Sequence, residues 1–263
     1  MTRAANYDTI ASKYDRRYEL YEYAGVKETL GTFFGGAATS VLEVGCGTGH
    51  WLDVVVRGVT ERSAKALAER PLVAGVEPSS EMLARARVAA PDAVLIRGRA
   101  EALPWRDATF DRVYCINALH HFRDRARFFA EARRILRPGG GLLSIGKDPH
   151  VERDTWWVYH YFPETLEIDR QGFARVRTLR GELAAAGFTW AESFECDHIE
   201  ASRSATEALA TGIVDRAYTS QLTVLSDEEF DAGRKRIEEA NAVAGGELRL
   251  ATDFYLFGTI GWV

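Results

Sequence analysis

The sequence predicts an α/β fold, a doubly wound, mostly parallel sheet with helices on both faces. Three observations carry that expectation. Short and almost wholly apolar strands alternate with helical stretches between residues 41 and 145, the pattern of parallel strands buried on both sides. A glycine-rich turn follows the first strand directly, in Val41-Leu-Glu-Val-Gly-Cys-Gly-Thr-Gly49. Further motifs sit just past later strands, where open sheets of this kind bind their ligands.

Taken in order, residues 6–30 read as helical and carry Tyr7, Tyr14, Tyr18, Tyr21 and Tyr23, and a small-residue stretch, 35–40, leads into the first strand. After the glycine turn come a helix over about 48–56, a second helical run at 64–69 and a strand at 72–76. Ser79 or Ser80 caps the next helix, which passes through Met82, Leu83 and Ala86. Strands follow at 93–96 and 110–116, then a helix over about 123–136 that stops at Arg137-Pro138-Gly139-Gly140. Residues 141–145 make the fifth strand. Beyond it lie an aromatic-rich run at 152–162, a helix at 173–186 ending at Gly187, and a strand-like alternation at 188–196. Mostly helical signal then fills about 200–247, including the capped run Ser226-Asp227-Glu228-Glu229-Phe230. The chain closes on a strand at 252–263.

With 263 residues and 46% hydrophobic content, the chain has enough apolar surface for one sizeable core and an appendage. No run approaches the ~18 apolar residues of a membrane span. The N-terminal residues lack an apolar signal region, so the expected compartment is the cytoplasm. Cys46, Cys115 and Cys196 are odd in number, far apart and not spaced as metal ligands, which argues against disulfides and zinc. A formal charge of −5 disfavours broad nucleic-acid binding.

The turn itself indicates its ligand. Gly45, Gly47 and Gly49 strip side chains from backbone that a cofactor must approach, and they permit positive φ. A dinucleotide fingerprint needs its third glycine at position 50, where this chain has His50. Glu43 adds an anion that repels phosphates and suits a cofactor carrying an ammonium and a sulfonium. Glu77 ends the second strand, where a carboxylate accepts from both ribose hydroxyls of an adenosine group. The plainer alternative is an exposed acid at a strand end.

Five motifs in order, Glu43-Val-Gly-Cys-Gly-Thr-Gly49, Gly75-Val-Glu-Pro-Ser79, Ala100-Glu-Ala-Leu-Pro-Trp105, Ala118-Leu-His-His-Phe122 and Leu136-Arg-Pro-Gly-Gly140, are each expected at a strand end. The chain resembles the class I S-adenosylmethionine-dependent methyltransferases of the small-molecule, type 11-like group over about residues 5–147. The resemblance implies a Rossmann-like, mostly parallel seven-stranded sheet with an antiparallel last strand, plus a helical cap. It also implies a division into an N-terminal cap segment (1–34), a cofactor-binding core (35–150), a stretch carrying the aromatic substrate side (151–200), a helical insertion over the substrate (201–247) and the final strand (248–263).

Carried over residue by residue, Gly45, Cys46 and Gly47 line the methionine part of S-adenosylmethionine, with Glu43 near its amino group and Glu77, followed by Pro78, at the ribose. Met82 packs beside the adenine, and Ala100 and Glu101 flank its edge. Asn117, Ala118 and His121 lie under the sulfonium. The family usually has an aspartate where this chain has Arg99; a guanidinium cannot accept from the adenine amino group. Recognition then falls to backbone carbonyls, or Arg99 pairs with Glu101. Tyr14 and Tyr18 match a segment that in relatives folds over the cofactor carboxylate; an aromatic stripe packing a helix onto the sheet accounts for them equally.

For catalysis, His120, His121 and His150 are the weak candidates for a base. Trp156, Trp157, Tyr159, His160, Tyr161 and Phe162 form either an acceptor wall or ordinary core. The arginines 123, 125, 127, 133, 134 and 137 fit a solvated helix face better than a nucleic-acid patch, since Asp124 and Glu131 interrupt them. The reading is a methyltransferase for a small organic acceptor, monomeric or homodimeric, yielding S-adenosylhomocysteine. Its rivals are an RNA or protein methyltransferase and a cofactor-binding protein without activity; His50 and Glu43 disfavour a nicotinamide dehydrogenase.

Overall fold

The computed structural model describes residues 15, 18, 20–35, 38–66 and 71–263, with the backbone alone at 59, 60 and 62–66. Its centre is one mixed sheet of β1 (Ser40–Val44), β2 (Leu72–Glu77), β3 (Val94–Arg97), β4 (Phe110–Ile116), β5 (Leu136–Gly146), β6 (Thr155–Trp156), β7 (Trp190–Ser204) and β8 (Arg249–Trp262). The spatial order is β3-β2-β1-β4-β5-β8, with β6 continuing the line of β5 and β7 on the far side of β8. Strands β1 to β5 pair in parallel, and β8 runs antiparallel to β5 and β7. The parallel sheet and antiparallel last strand agree with expectation; the eighth strand is the two-residue β6.

Side-chain alternation splits the core across the two faces of the sheet. Val41, Tyr114, Leu143 and Ile145 face one cluster, and Leu42, Val44, Val113, Cys115 and Leu142 face the other. Burial on both faces is why the middles of these strands are mostly apolar. Helices α1 (Ala24–Phe33), α2 (His50–Ala66), α3 (Ser80–Ala89) and α4 (Arg125–Ile135) cover the N-terminal half. Ser79 caps α3 through Met82 N–H at 3.1 Å, and Asp124 caps α4 through Arg127 N–H at 2.9 Å. The second half adds α5 (Trp157–Tyr161), α6 (Pro163–Gly172), α7 (Val176–Ala185), α8 (Ala205–Thr211), α9 (Ser220–Thr223) and α10 (Asp227–Val243). Among the described residues no helix is long and apolar enough to cross a membrane.

Several boundaries differ from the sequence reading. Among the described residues of the N-terminal segment the helix is Ala24–Phe33 rather than 6–30; Tyr18, Tyr21 and Tyr23 precede it. The helical run expected at 48–56 continues without a break into the one expected at 64–69, as α2 to Ala66; residues 67–69 lie outside the described residues. The Pro-Gly-Gly turn lies inside β5, as a register break between Phe110↔Leu136 and Arg112↔Gly141. β7 continues past 196 to Ser204 because β8 pairs with it along its whole length, so residues 201–204 are strand rather than part of the helical insertion.

Candidate active site

The carboxyl ends of β1, β2 and β4 and the loop after β3 open onto one cavity of about 600 Å³. That size falls within the range of small-ligand sites. Tyr18, Glu43, Gly45, Cys46, Gly47, Glu77, Pro78, Met82, Arg99, Ala100, Glu101, Asn117, Ala118 and His121 all line it. Tyr14 lies outside the described residues. His120 also faces the cavity, whereas His150 does not; its N–H donates to Asp148 Oδ1 at 3.0 Å. The structure thus does not bring His150 to the lining of this cavity.

The glycine turn shows why side chains are absent there. Gly45 has φ +76° and a Cβ on it would stand 2.8 Å from the Ala118 Cβ. Gly47 has φ +54° and a Cβ would meet nothing within 4 Å, so its open face belongs to the cavity. β2 braces the turn: Val76 O accepts from Gly45 N–H at 2.8 Å and Cys46 N–H at 3.2 Å, and Glu77 Oε2 accepts from Gly47 N–H at 3.1 Å.

Two carboxyls flank this turn. Glu43 and Tyr114 are register partners on β1 and β4, and the phenol donates to Glu43 Oε2 at 3.0 Å. Glu43 is 1% exposed; burial pushes its carboxyl well above the ordinary range, against the phenol hydrogen bond, with the Glu77 charge adding to the rise. Glu77 is also buried, and its Oε1 accepts from Ser79 N–H at 2.9 Å. A carboxylate has about four acceptor positions, so these backbone bonds orient Glu77 without using up its capacity for a diol.

Around the other rim, Asn117 sits at φ +49° directly after β4, its N–H on Ile145 O at 2.8 Å. Asparagine tolerates this region better than most side chains. The His120 ring stacks on Phe173 at 3.7 Å, and His121 is exposed. Arg99 is exposed and does not pair with Glu101, whose Oε1 accepts instead from the Arg123 N–H at 2.6 Å. Tyr18 stacks on His50 at 3.7 Å, a packing role at the cavity edge.

Sequence reasoning missed several lining residues. Trp51, in the first turn of α2, faces the cavity, and its buried Nε1–H has no hydrogen-bond partner among the described residues. Asp169, Phe173, Ser220 and Gln221 close the far wall from α6, the segment after it and α9. The 156–162 aromatics divide between both roles: Trp156 lines a second, smaller cavity, while Trp157 and Phe162 pack into the core against Tyr218 and Phe230. The arginines on and around α4 are engaged with the protein itself: Arg125 with Glu182, Arg127 with Glu101 O, Arg133 with Gly187 O, Arg134 with Glu131 and Asp107, Arg137 with Asp111.

Comparison with known proteins agrees with this layout. The family described as "Methyltransferase domain" matches residues 42–144. A demethylmenaquinone methyltransferase from Shouchella clausii is 31% identical over 155 residues, 57% of this chain and 63% of that protein. The match thus spans under two thirds of that relative's length. The demethylmenaquinone methyltransferase of Lactiplantibacillus plantarum is 32% identical over 182 residues, 64% of this chain and 72% of that protein. The crystal structure of an S-adenosylmethionine-dependent methyltransferase from Aquifex aeolicus superposes with a TM-score of 0.58 at 15% identity, covering 98% of each chain, a likeness of fold. The motif order, the sheet and these matches agree: the chain belongs to the class I S-adenosylmethionine-dependent methyltransferases.

Proposed function

We propose that this protein transfers a methyl group from S-adenosylmethionine to a small organic acceptor. The observation that carries the reading is the bare face of Gly47, open to the cavity between the buried carboxyls of Glu43 and Glu77. The residues present fit the cofactor. Glu43 supplies an anion for the methionine ammonium, the unmatched Trp51 N–H a donor for its carboxylate, and Glu77 acceptors for the ribose hydroxyls. Met82 offers an apolar surface to the adenine, with Ala100 and the backbone around Arg99 and Glu101 at its edge. When bound, the cofactor supplies a methyl group on a sulfonium, an intrinsically good leaving group.

The protein's task is then positional. Asn117, His120 and Phe173 shape the space where an acceptor meets the methyl, and α6 and α9 shut it from water. The relatives named for demethylmenaquinone act on a small organic molecule, which supports the same class here. S-adenosylhomocysteine formation with a mixed library of small acceptors, and none with tRNA or protein, is the expected result. Turnover confined to tRNA, with gel shifts that fall steeply with salt, would replace this reading with the nucleic-acid one.

A further inference from the structure

The far wall of the cavity comes from residues outside the stretch matched to the family, residues 42–144. Asp169 on α6 stands in it, 6% exposed. Its Oδ2 accepts from Tyr159 Oη at 2.5 Å and from Gln221 Nε2 at 3.1 Å, and Lys147 Nζ lies 4.0 Å away. Side chains from three other segments therefore surround this carboxylate. Beside it is the smaller cavity, which shares Asn117, His120, Phe173, Ser220 and Gln221 with the first. Its volume is about 60 Å³, and its remaining walls include Tyr21, Tyr23, Trp156, Tyr218, Phe254 and Lys147, whose Nζ stands 3.6 Å from the Trp156 ring centroid. Trp156 Nε1–H is buried there and has no hydrogen-bond partner among the described residues. In the larger cavity the Phe173 ring and the oriented Asp169 carboxylate, on the same wall, together complement a flat ring bearing a hydroxyl. An ammonium would meet the cation Lys147.

We propose that Asp169 takes the proton from the hydroxyl of a planar aromatic acceptor seated in the larger cavity against Phe173. The proposal rests on the methyltransferase reading above and adds a substrate class and a catalytic residue to it. The acceptor O–H bond breaks and its proton passes to an Asp169 oxygen. The acceptor oxygen's electron pair forms the bond to the methyl carbon supplied by S-adenosylmethionine. The pair of the broken S–C bond stays on sulfur, leaving neutral S-adenosylhomocysteine, and Asp169 returns its proton to water. The groups acting on Asp169 suit this role: burial lifts its carboxyl above the ordinary range, while Lys147, Tyr159 and Gln221 draw it back. A carboxylate placed nearer the working pH is the better base.

The test uses the full chain with catechol, 4-nitrophenol and benzylamine as acceptors. Methyl ethers from the phenols and no product from benzylamine are expected. Asp169→Asn should lower kcat on catechol by about 10²-fold or more but spare 4-nitrophenol, already ionised at the assay pH, to within ~10-fold. A readout independent of turnover is the visible absorbance of bound 4-nitrophenol. Losing the carboxylate should lower its ionisation midpoint by ~1 unit. Tyr159→Phe, which removes one donor from Asp169, should move the rising limb of the kcat/KM profile to higher pH. Equal losses on both phenols with an unmoved midpoint, or methylation of benzylamine alone, would overturn the proposal. A wild-type chain that binds S-adenosylmethionine but neither binds nor methylates either phenol sinks this assignment and leaves the methyltransferase reading standing. Absence of cofactor binding sinks both.

Discussion

At the scale of single residues, Glu43 makes the sharpest prediction. Its folded pKa stands above that of an unfolded glutamate, ~4.3. The native chain therefore holds this proton longer than the unfolded one, so the stability it contributes is present at acid pH and lost as pH rises through the folded value. An ammonium beside the carboxyl favours the ionised form. S-adenosylmethionine binding should thus release up to about one proton at pH values between the ordinary carboxylate range and the raised one, seen by calorimetry in buffers of different ionisation enthalpy. Glu43→Gln should bind more weakly and release none. Gly45→Ala should cost about 1–3 kcal/mol in thermal unfolding, since it adds a strained φ and a 2.8 Å contact with Ala118. A Gly45→Ala chain as stable as the parent would show that the turn relaxes freely.

At the scale of elements, one side chain ties the start of β1 to β4 and β5. Asp111 Oδ2 accepts from the Thr39 and Ser40 N–H groups at 2.9 Å each, and Oδ1 from Arg137 Nη1 at 2.9 Å. Burial alone would raise its carboxyl, but these donors hold it below the ordinary range. A depressed folded pKa gives stability that is present above ~3.9 and lost as pH falls through the folded value. Asp111→Asn should cost about 1–3 kcal/mol near neutrality and less in acid, measured by denaturant unfolding. Strands β1, β2 and β4 were legible in the sequence because burial on both faces leaves a mostly apolar run, and the glycine turn because positive φ needs glycine. α2 was split in the reading because its middle, Arg57 to Ser63, mixes charge and β-branching without an apolar stripe. The length of β7 was hidden for a related reason: its far half is held by pairing with β8, a long-range contact that leaves little local periodicity.

At the scale of the whole molecule, the cofactor side was readable and the acceptor side was not. Motifs such as Glu43 to Gly49 are contiguous, so a single segment announces its chemistry. Lys147, Tyr159, Asp169 and Gln221 come from separate segments and meet only through packing of α5, α6 and α9 against the sheet. No spacing in the sequence marks them. The aromatic run at 156–162 illustrates the same limit, since Trp156, at the end of β6, lines the smaller cavity while Trp157 and Phe162 pack into the core. With a net charge of −5 and the α4 arginines bound internally, the chain should show no tRNA mobility shift at moderate salt.

The central claim, that the turn at Gly45–Gly49 receives a sulfonium nucleoside, is tested most directly by titration calorimetry of the full chain with S-adenosylmethionine and with NAD, alongside the Gly47→Asp variant. The account predicts saturable heat with S-adenosylmethionine, none with NAD, and loss of the first in Gly47→Asp, whose side chain would fill the open face of the turn. Heat with NAD, or a Gly47→Asp chain that binds S-adenosylmethionine as the parent does, would contradict it.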